Sequence, residues 1–404
     1  MTTSKTTRRQ AIALGLGITS MGAAVALNDL NKHNRQAQLI ASSENIDFTV
    51  DGNTALKERA AAKKLLYGAA TSYFKLNLDT NFATSFIKEC AILMAEGDLL
   101  WCAMRPTIDT FDFARSDWFV EYAHSQNMLC GATHLVWQHC LPYWFKDEVN
   151  QQNAQKVMLD HIKTVVGRYA RKIHFWTVVN EAVNPGDDRD DGLTQTVWLD
   201  FLGPNYFDIA FRTAAEADPN ALLLLNENDL EFDNPYQEKK RTALLKLLER
   251  LKSQGTPVHA LGIQAHLNTD KGEIKPSQLK AFLRNVAQLG LEIIITEMDV
   301  TDKDLPTDNN VRDRMVAQMY EDFLSVVLDE PATSGVITWG LSDRFTWLSS
   351  YGKRNDGTSV RPLPLDAQLN RKLAWNAIAR AFDQAPSRNE SSKLWDAWNK
   401  LNAS

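Results

Sequence analysis

The chain has 404 residues, 44% hydrophobic and 23% charged, with a formal net charge of -6 and a pI near 5.8. That acidic balance, without a basic patch, argues against nucleic acid as a partner, and the length exceeds the roughly 250 residues of a minimal (β/α)₈ barrel while offering no linker that would divide it in two. Eleven tryptophans are many for this size; some belong to a core, but indole faces also serve as platforms for sugar rings.

Taken from the N-terminus, Thr7-Arg8-Arg9-Gln10-Ala11-Ile12 places paired arginines before a mildly apolar run that closes on Ala24-Val25-Ala26, a small-x-small cleavage pattern. The stretch resembles a twin-arginine export signal. Residues 1–26 are therefore expected to be a signal peptide, residues 27–45, rich in Asn, Gln and Ser, a flexible lead-in, and residues 46–404 one catalytic domain of a periplasmic or secreted protein.

Strand-like runs then alternate with amphipathic stretches. The runs lie at Leu65–Ala70, Cys90–Ala95, Met128–Trp137, Ile173–Glu181, Ala221–Asn226, Ala260–Leu267, Glu292–Val300 and Gly335–Leu341. Apolar residues at three- and four-residue spacing predict helices over Ala154–Tyr169, Tyr206–Ala217, Tyr236–Gln254, Pro276–Leu289 and Asp308–Leu328. This alternation predicts an α/β fold, a single (β/α)₈ barrel.

Two runs stop abruptly on an acid: Phe175-Trp176-Thr177-Val178-Val179-Asn180 on Glu181, and Ile293-Ile294-Ile295-Thr296 on Glu297. Barrels keep their catalytic groups at the C-terminal edge of the strands. Two carboxylates brought there from separate strands are the minimum equipment for hydrolysing a glycosidic bond, one to protonate the leaving oxygen and one to attack or support the sugar carbon. The four cysteines, Cys90, Cys102, Cys130 and Cys140, form no CxxC pair and no His completes a zinc spacing, so no metal or other cofactor is expected. Buried free thiols are the default for them, with one bridge possible.

Several blocks, in order, resemble glycoside hydrolase family ten, the endo-β-1,4-xylanase family: Trp176-Thr177-Val178-Val179-Asn180-Glu181-Ala182, Gly262-Ile263-Gln264-Ala265-His266-Leu267, Ile295-Thr296-Glu297-Met298-Asp299-Val300, and Trp339-Gly340-Leu341-Ser342-Asp343 with Trp347. The similarity runs from about Leu65 to Phe382 and closes on Arg361-Pro362-Leu363-Pro364-Leu365-Asp366 and Leu373-Ala374-Trp375-Asn376-Ala377-Ile378. The resemblance implies a retaining mechanism with Glu181 as general acid/base and Glu297 as nucleophile. In such a site Asn180 would offer its amide to the 2-hydroxyl of the reacting sugar. His266 and Asp299 would form an Asp–His–Glu chain that keeps Glu297 ionised and fixed. Gln264 lies two residues before His266, hence on the same face of one strand, and with Glu96, His134, Trp137, Trp339 and Trp347 it would line the sugar cleft.

The departures concern the glycone side. The family's Glu-Asn-x-x-Lys-Trp pattern reads Glu96-Gly97-Asp98-Leu99-Leu100-Trp101 here, so two polar sugar ligands are replaced by Gly97 and Leu100. On the third run the sequence is Thr133-His134-Leu135-Val136-Trp137-Gln138-His139-Cys140, which puts His134 one place from the family's sugar-binding histidine and Cys140 where the family has Gln. The first expectation is a retaining endo-β-1,4-xylanase acting on a xylan-like polysaccharide or oligosaccharide, with no obligate protein partner. The second is a β-glycosidase of the same mechanism with an altered glycone pocket. A carbohydrate-binding barrel with degraded catalysis is disfavoured, because Glu181, Glu297, Asn180, His266 and Asp299 are all retained.

Overall fold

A computed structural model describes residues 44–403 together with 34, 37, 40 and 41. The expected signal peptide and most of the lead-in lie outside the described residues, and the unit that holds the barrel begins at Phe48.

Nine strands follow in chain order: β1 Leu66–Thr71, β2 Ile92–Ala95, β3 Leu129–Ala132, β4 Phe175–Asn180, β5 Leu222–Glu227, β6 Ala260–Ile263, β7 His266–Leu267, β8 Glu292–Val300 and β9 Thr333–Thr338. All pair in parallel. Each of β1 to β5 pairs with the next strand, β6 pairs with β8, β8 with β9 and β9 with β1, so the sheet closes into eight staves. Helices cover the outer face while side chains fill the inside, which is why the strands are continuously apolar rather than alternating. Interior packing is tight enough to dictate glycine. A Cβ on Gly131 would lie 2.0 Å from the Phe175 ring, so the ring of one stave occupies the space that the next leaves empty.

The five predicted helices appear as Ala154–Arg168, Tyr206–Ala217, Pro235–Ser253, Pro276–Gln288 and Asn309–Val327. Two start on side-chain caps that satisfy orphan backbone donors, Asn234 accepting from the Gln237 amide and Asp308 from those of Asn310 and Val311. Beyond the expected set, Lys393–Ala403 packs Leu394 against the interior of the barrel, where its Cδ2 closes on Gly335.

Three expectations are corrected. The third run is a strand only to Ala132; past it the chain departs, touching β4 again through an isolated bridge between Val136 and Val179. The sixth run is not one strand, since Ala265 takes a left-handed φ of 59° and separates β6 from β7. The cysteines are not all free. Cys102 and Cys140 are disulfide-bonded with Cα atoms 5.4 Å apart, while Cys90 and Cys130 are buried thiols. The short helix Trp101–Met104 after β2 and the turn Gln138–Cys140 after β3 extend from adjacent staves, which brings together cysteines 38 residues apart.

Candidate active site

Glu181 is the first residue past β4. It holds a left-handed φ of 56°, rare for a side chain larger than glycine, and its backbone is tied on both sides: its N–H donates to the Asn226 carbonyl (2.9 Å) and its carbonyl accepts from the Thr194 hydroxyl (2.7 Å). The carboxylate accepts from Trp137 Nε1 on one oxygen (3.0 Å) and from Gln264 Nε2 on the other (3.1 Å). His139 stands 3.9 Å from it on the exposed side.

Glu297 sits in β8 with 4% exposure. Its strand slips register against β9 between Ile295 and Met298, an irregularity that frees this stretch from plain ladder pairing. One carboxylate oxygen accepts from Asn226 Nδ2 (2.7 Å), the other from His266 Nε2 (3.3 Å).

The two acids are joined by an unbroken chain of amides. From Glu297 Oε1 it runs to Asn226 Nδ2, which also donates to Asn180 Oδ1 (2.8 Å); that oxygen accepts in turn from Gln264 Nε2 (3.3 Å), which donates to Glu181 Oε1. The Asn180 oxygen is thus used twice by the protein. This orientation leaves its Nδ2 as the donor open to a ligand. Asn226 is itself oriented by the Thr296 hydroxyl (2.6 Å), and Gly262 makes room for it, because a Cβ there would lie 2.2 Å from Asn226 Oδ1.

Behind Glu297, His266 pairs with Asp299 across β7 and β8, Nδ1 to Oδ1 at 2.9 Å. Burial pushes the imidazole towards neutrality, but the Asp299 and Glu297 carboxylates outweigh it and hold its pKa up to about 10, so it is an imidazolium with both nitrogens donating. Burial likewise raises Glu297, and His266 is the main counterweight. Trp347 Nε1 donates to the second Asp299 oxygen (2.7 Å), while the Trp339 and Trp347 rings flank His266 with centroids 6.4 and 5.2 Å away.

The rim formed by the loops after β1, β2 and β3 is built differently. Glu96 is ion-paired with Lys75, which arrives from the helix Tyr73–Leu78 after β1. A Cβ added at Gly97 would meet Leu100 Cδ1 at 4.0 Å. Trp101 is buried and donates to the Leu135 carbonyl. His134 is 4% exposed, edge-on to Trp137 at 5.0 Å, and burial drives its pKa down to about 3. The Cys102–Cys140 bridge ties this rim together across β2 and β3.

All of Glu181, Glu297, Asn180, Gln264, His266, Asp299, Trp137, Trp339 and Trp347 therefore gather at one end of the barrel. Asn226, Thr296 and the buried Glu227 were not among the expected site residues, although Ala221–Asn226 ends on a polar residue much as the fourth run does. Among the described residues no group of three or more His, Cys, Asp or Glu side chains is placed to hold a metal ion.

Comparison with known proteins finds similar sequences and folds. The sequence model described as Glycosyl hydrolase family 10 matches residues 55–381. Endo-1,4-beta-xylanase B of Thermotoga neapolitana is 28% identical over 341 residues, which are 82% of this chain and 93% of that protein. Beta-1,4-xylanase of Dictyoglomus thermophilum is 31% identical over 325 residues, 78% of this chain and 87% of that one. Among solved structures, xylanase 10B from Thermotoga petrophila RKU-1 in complex with xylobiose superposes with a TM-score of 0.74 at 28% identity, covering 83% of this chain and 99% of that chain.

Proposed function

Because the chain belongs to glycosyl hydrolase family 10, we propose that it is an endo-1,4-β-xylanase that cleaves internal xylosidic bonds of a xylan-like polysaccharide with retention of configuration. The observation that carries this reading is the pair of carboxylates, Glu181 and Glu297, held by one amide chain yet backed by different partners. Glu297, beside the His266 imidazolium, attacks the anomeric carbon and forms a glycosyl ester as Glu181 gives its proton to the departing oxygen. Glu181 then takes a proton from water, which attacks the same carbon and releases Glu297. Asn180 Nδ2 serves the 2-hydroxyl, a bond that strengthens as positive charge builds on the ring. Trp339 and Trp347 supply apolar faces for the sugars.

Export through the Arg8-Arg9 signal is part of the proposal, and the Cys102–Cys140 disulfide, exposed at Cys102 and half-buried at Cys140, supports an oxidising destination. Mature protein from the producing cell is then expected to begin near Leu27, and N-terminal sequencing that finds Met1 or Thr2 contradicts cleavage.

A panel of xylans, β-glucans and aryl β-glycosides tests the activity. Xylo-oligosaccharides released from the interior of xylan support the proposal. Preference for a β-glucan supports instead the altered-glycone reading, which Gly97, Leu100 and the Lys75–Glu96 pair favour. No turnover of any of them overturns both.

A further inference from the structure

Glu227 and Lys240 form an ion pair in the barrel wall, Nζ to Oε1 at 2.9 Å, with 0% and 3% side-chain exposure. A buried charge pair seldom adds stability over an apolar pair of the same shape, because removing two ions from water costs about as much as their attraction returns. Its presence therefore calls for another reason.

The hydrogen bonds around Glu227 supply one. Its Oε2 accepts from the backbone N–H of Val183 (2.9 Å), two residues beyond Glu181, and its Oε1 accepts from the N–H of Asn228 (3.1 Å). Its backbone carbonyl accepts from the N–H of Gln264 (2.9 Å), the residue whose side chain donates to Glu181. The residue before it, Asn226, accepts the Glu181 N–H on its carbonyl. Glu227 thus stands where the ends of β4, β5 and β6 meet: its carboxylate holds the chain just after the acid, while the carbonyl of its neighbour Asn226 holds the acid's own N–H. Lys240, from the helix Pro235–Ser253, neutralises it and also donates to Asn228 Oδ1. The held conformation is one the chain does not adopt unaided, since a left-handed Glu is strained and persists only where its surroundings impose it.

We infer that the buried Glu227–Lys240 pair is a positioning device for the acid/base Glu181, retained to fix the left-handed turn that aims its carboxyl rather than to stabilise the barrel. The inference rests on Glu181 being the proton donor of the proposed reaction. A loss of aim by about 1 Å can cost about a hundredfold in rate, and only where the leaving group needs the proton.

The test uses the double variant Glu227→Met with Lys240→Met, which replaces the pair by apolar side chains of similar length and so preserves the fold. The value of kcat/KM, which reports formation of the glycosyl-enzyme, is measured on xylotetraose and on dinitrophenyl β-xylobioside. We expect a fall of about 30- to 100-fold on the oligosaccharide and of less than about threefold on the aryl glycoside, whose leaving group departs without protonation. If the double variant does not fold, Glu227→Gln with Lys240→Met, which leaves no charge unpaired and keeps one oxygen for a backbone N–H, is expected to show the same split at smaller size. Glu89→Gln is the control: that buried carboxylate serves Leu56, Arg371 and Trp375 away from the site, so its variant should lose melting temperature without any split. Equal loss on both substrates, or none on either, overturns the inference. Glu181→Ala separates this from failure of the underlying reading: if it lacks the split as well, Glu181 is not the acid, whereas a split there and none in the double variant refutes only the positioning role.

Discussion

The ends of β4, β5, β6 and β8 and the rim above β2 and β3 lie on the same barrel but are wired in contrasting ways. At the first, each carboxylate oxygen of Glu181 and Glu297 has a protein donor, and those donors are held by others: Asn226 by Thr296, His266 by Asp299, Asp299 by Trp347. At the second, the expected polar pattern gives way to Gly97 and Leu100, His134 is buried, and the connections include an ion pair, a disulfide and the bond from the Trp101 indole to the Leu135 carbonyl. Chemistry needs groups fixed to within a fraction of an ångström, whereas grip on a distant sugar can be redistributed among several contacts.

The sharpest way to break this contrast is to remove Glu297. Glu297→Ala should lower turnover of xylan on the order of 10⁴-fold or more, with azide partly restoring activity on activated aryl glycosides and giving product of the opposite anomeric configuration. Unaided turnover within tenfold of the parent would show that the attacking group lies elsewhere.

Asn226→Ala is expected to cost about 10²-fold in kcat, the usual loss for one preorganised donor in a reacting site. It releases one Glu297 oxygen and one of the two donors to Asn180 together. A loss confined to KM would mean that Asn226 only binds substrate.

On the rim, Gly97→Asn with Leu100→Lys should raise kcat/KM on xylotriose about tenfold, worth roughly 1.4 kcal/mol of added transition-state binding. The Lys75 ammonium already beside Glu96 limits the gain. No change, while the parent cleaves short oligomers well, would show that Lys75 has replaced the missing contacts outright.

The histidines carry the contrast into stability. His266 binds its proton more tightly in the fold, with a pKa near 10 against about 6.5 unfolded. Its contribution is complete below about pH 6.5 and is lost as pH rises through 10. His134, near 3, and His174 and His259, near 4, behave oppositely, burial being the first cause in each. They stay neutral in the fold while the unfolded chain takes up protons, so the stability they permit is complete above about pH 6.5 and drains away as pH falls towards 4. Melting temperature followed against pH should therefore drop on the acid side, and His134→Leu should shrink that drop by about 4 °C. An unchanged acid limb in the variant would mean that His134 is charged in the fold.

Much of this was legible from the chain because period and polarity coincide in a barrel. Runs that must be apolar on both faces end where the first polar residue meets the open edge, which exposed Asn180-Glu181 and Thr296-Glu297 directly. The same signal was present at Asn226-Glu227, but Asn and Glu at a strand end also suit a simple cap. The left-handed turn at Ala265 left no trace, since only glycine would have announced it, and it corrected the face argument for Gln264 and His266: they reach different acids from either side of a break. The disulfide was illegible because sequence distance does not reveal that two loops leave neighbouring staves. The closing helix Lys393–Ala403 lies beyond the last block of family resemblance.

Proton NMR of the first product formed from xylohexaose tests the central claim most directly, because the configuration at the new reducing end is set before mutarotation obscures it. Attack by Glu297 followed by water on the same carbon predicts that the β-anomer appears first, with the α-anomer growing in only as the β-anomer decays. If the α-anomer appears first, water has displaced the leaving group in a single step, and the assignment of Glu297 as nucleophile and Glu181 as its acid/base partner is wrong.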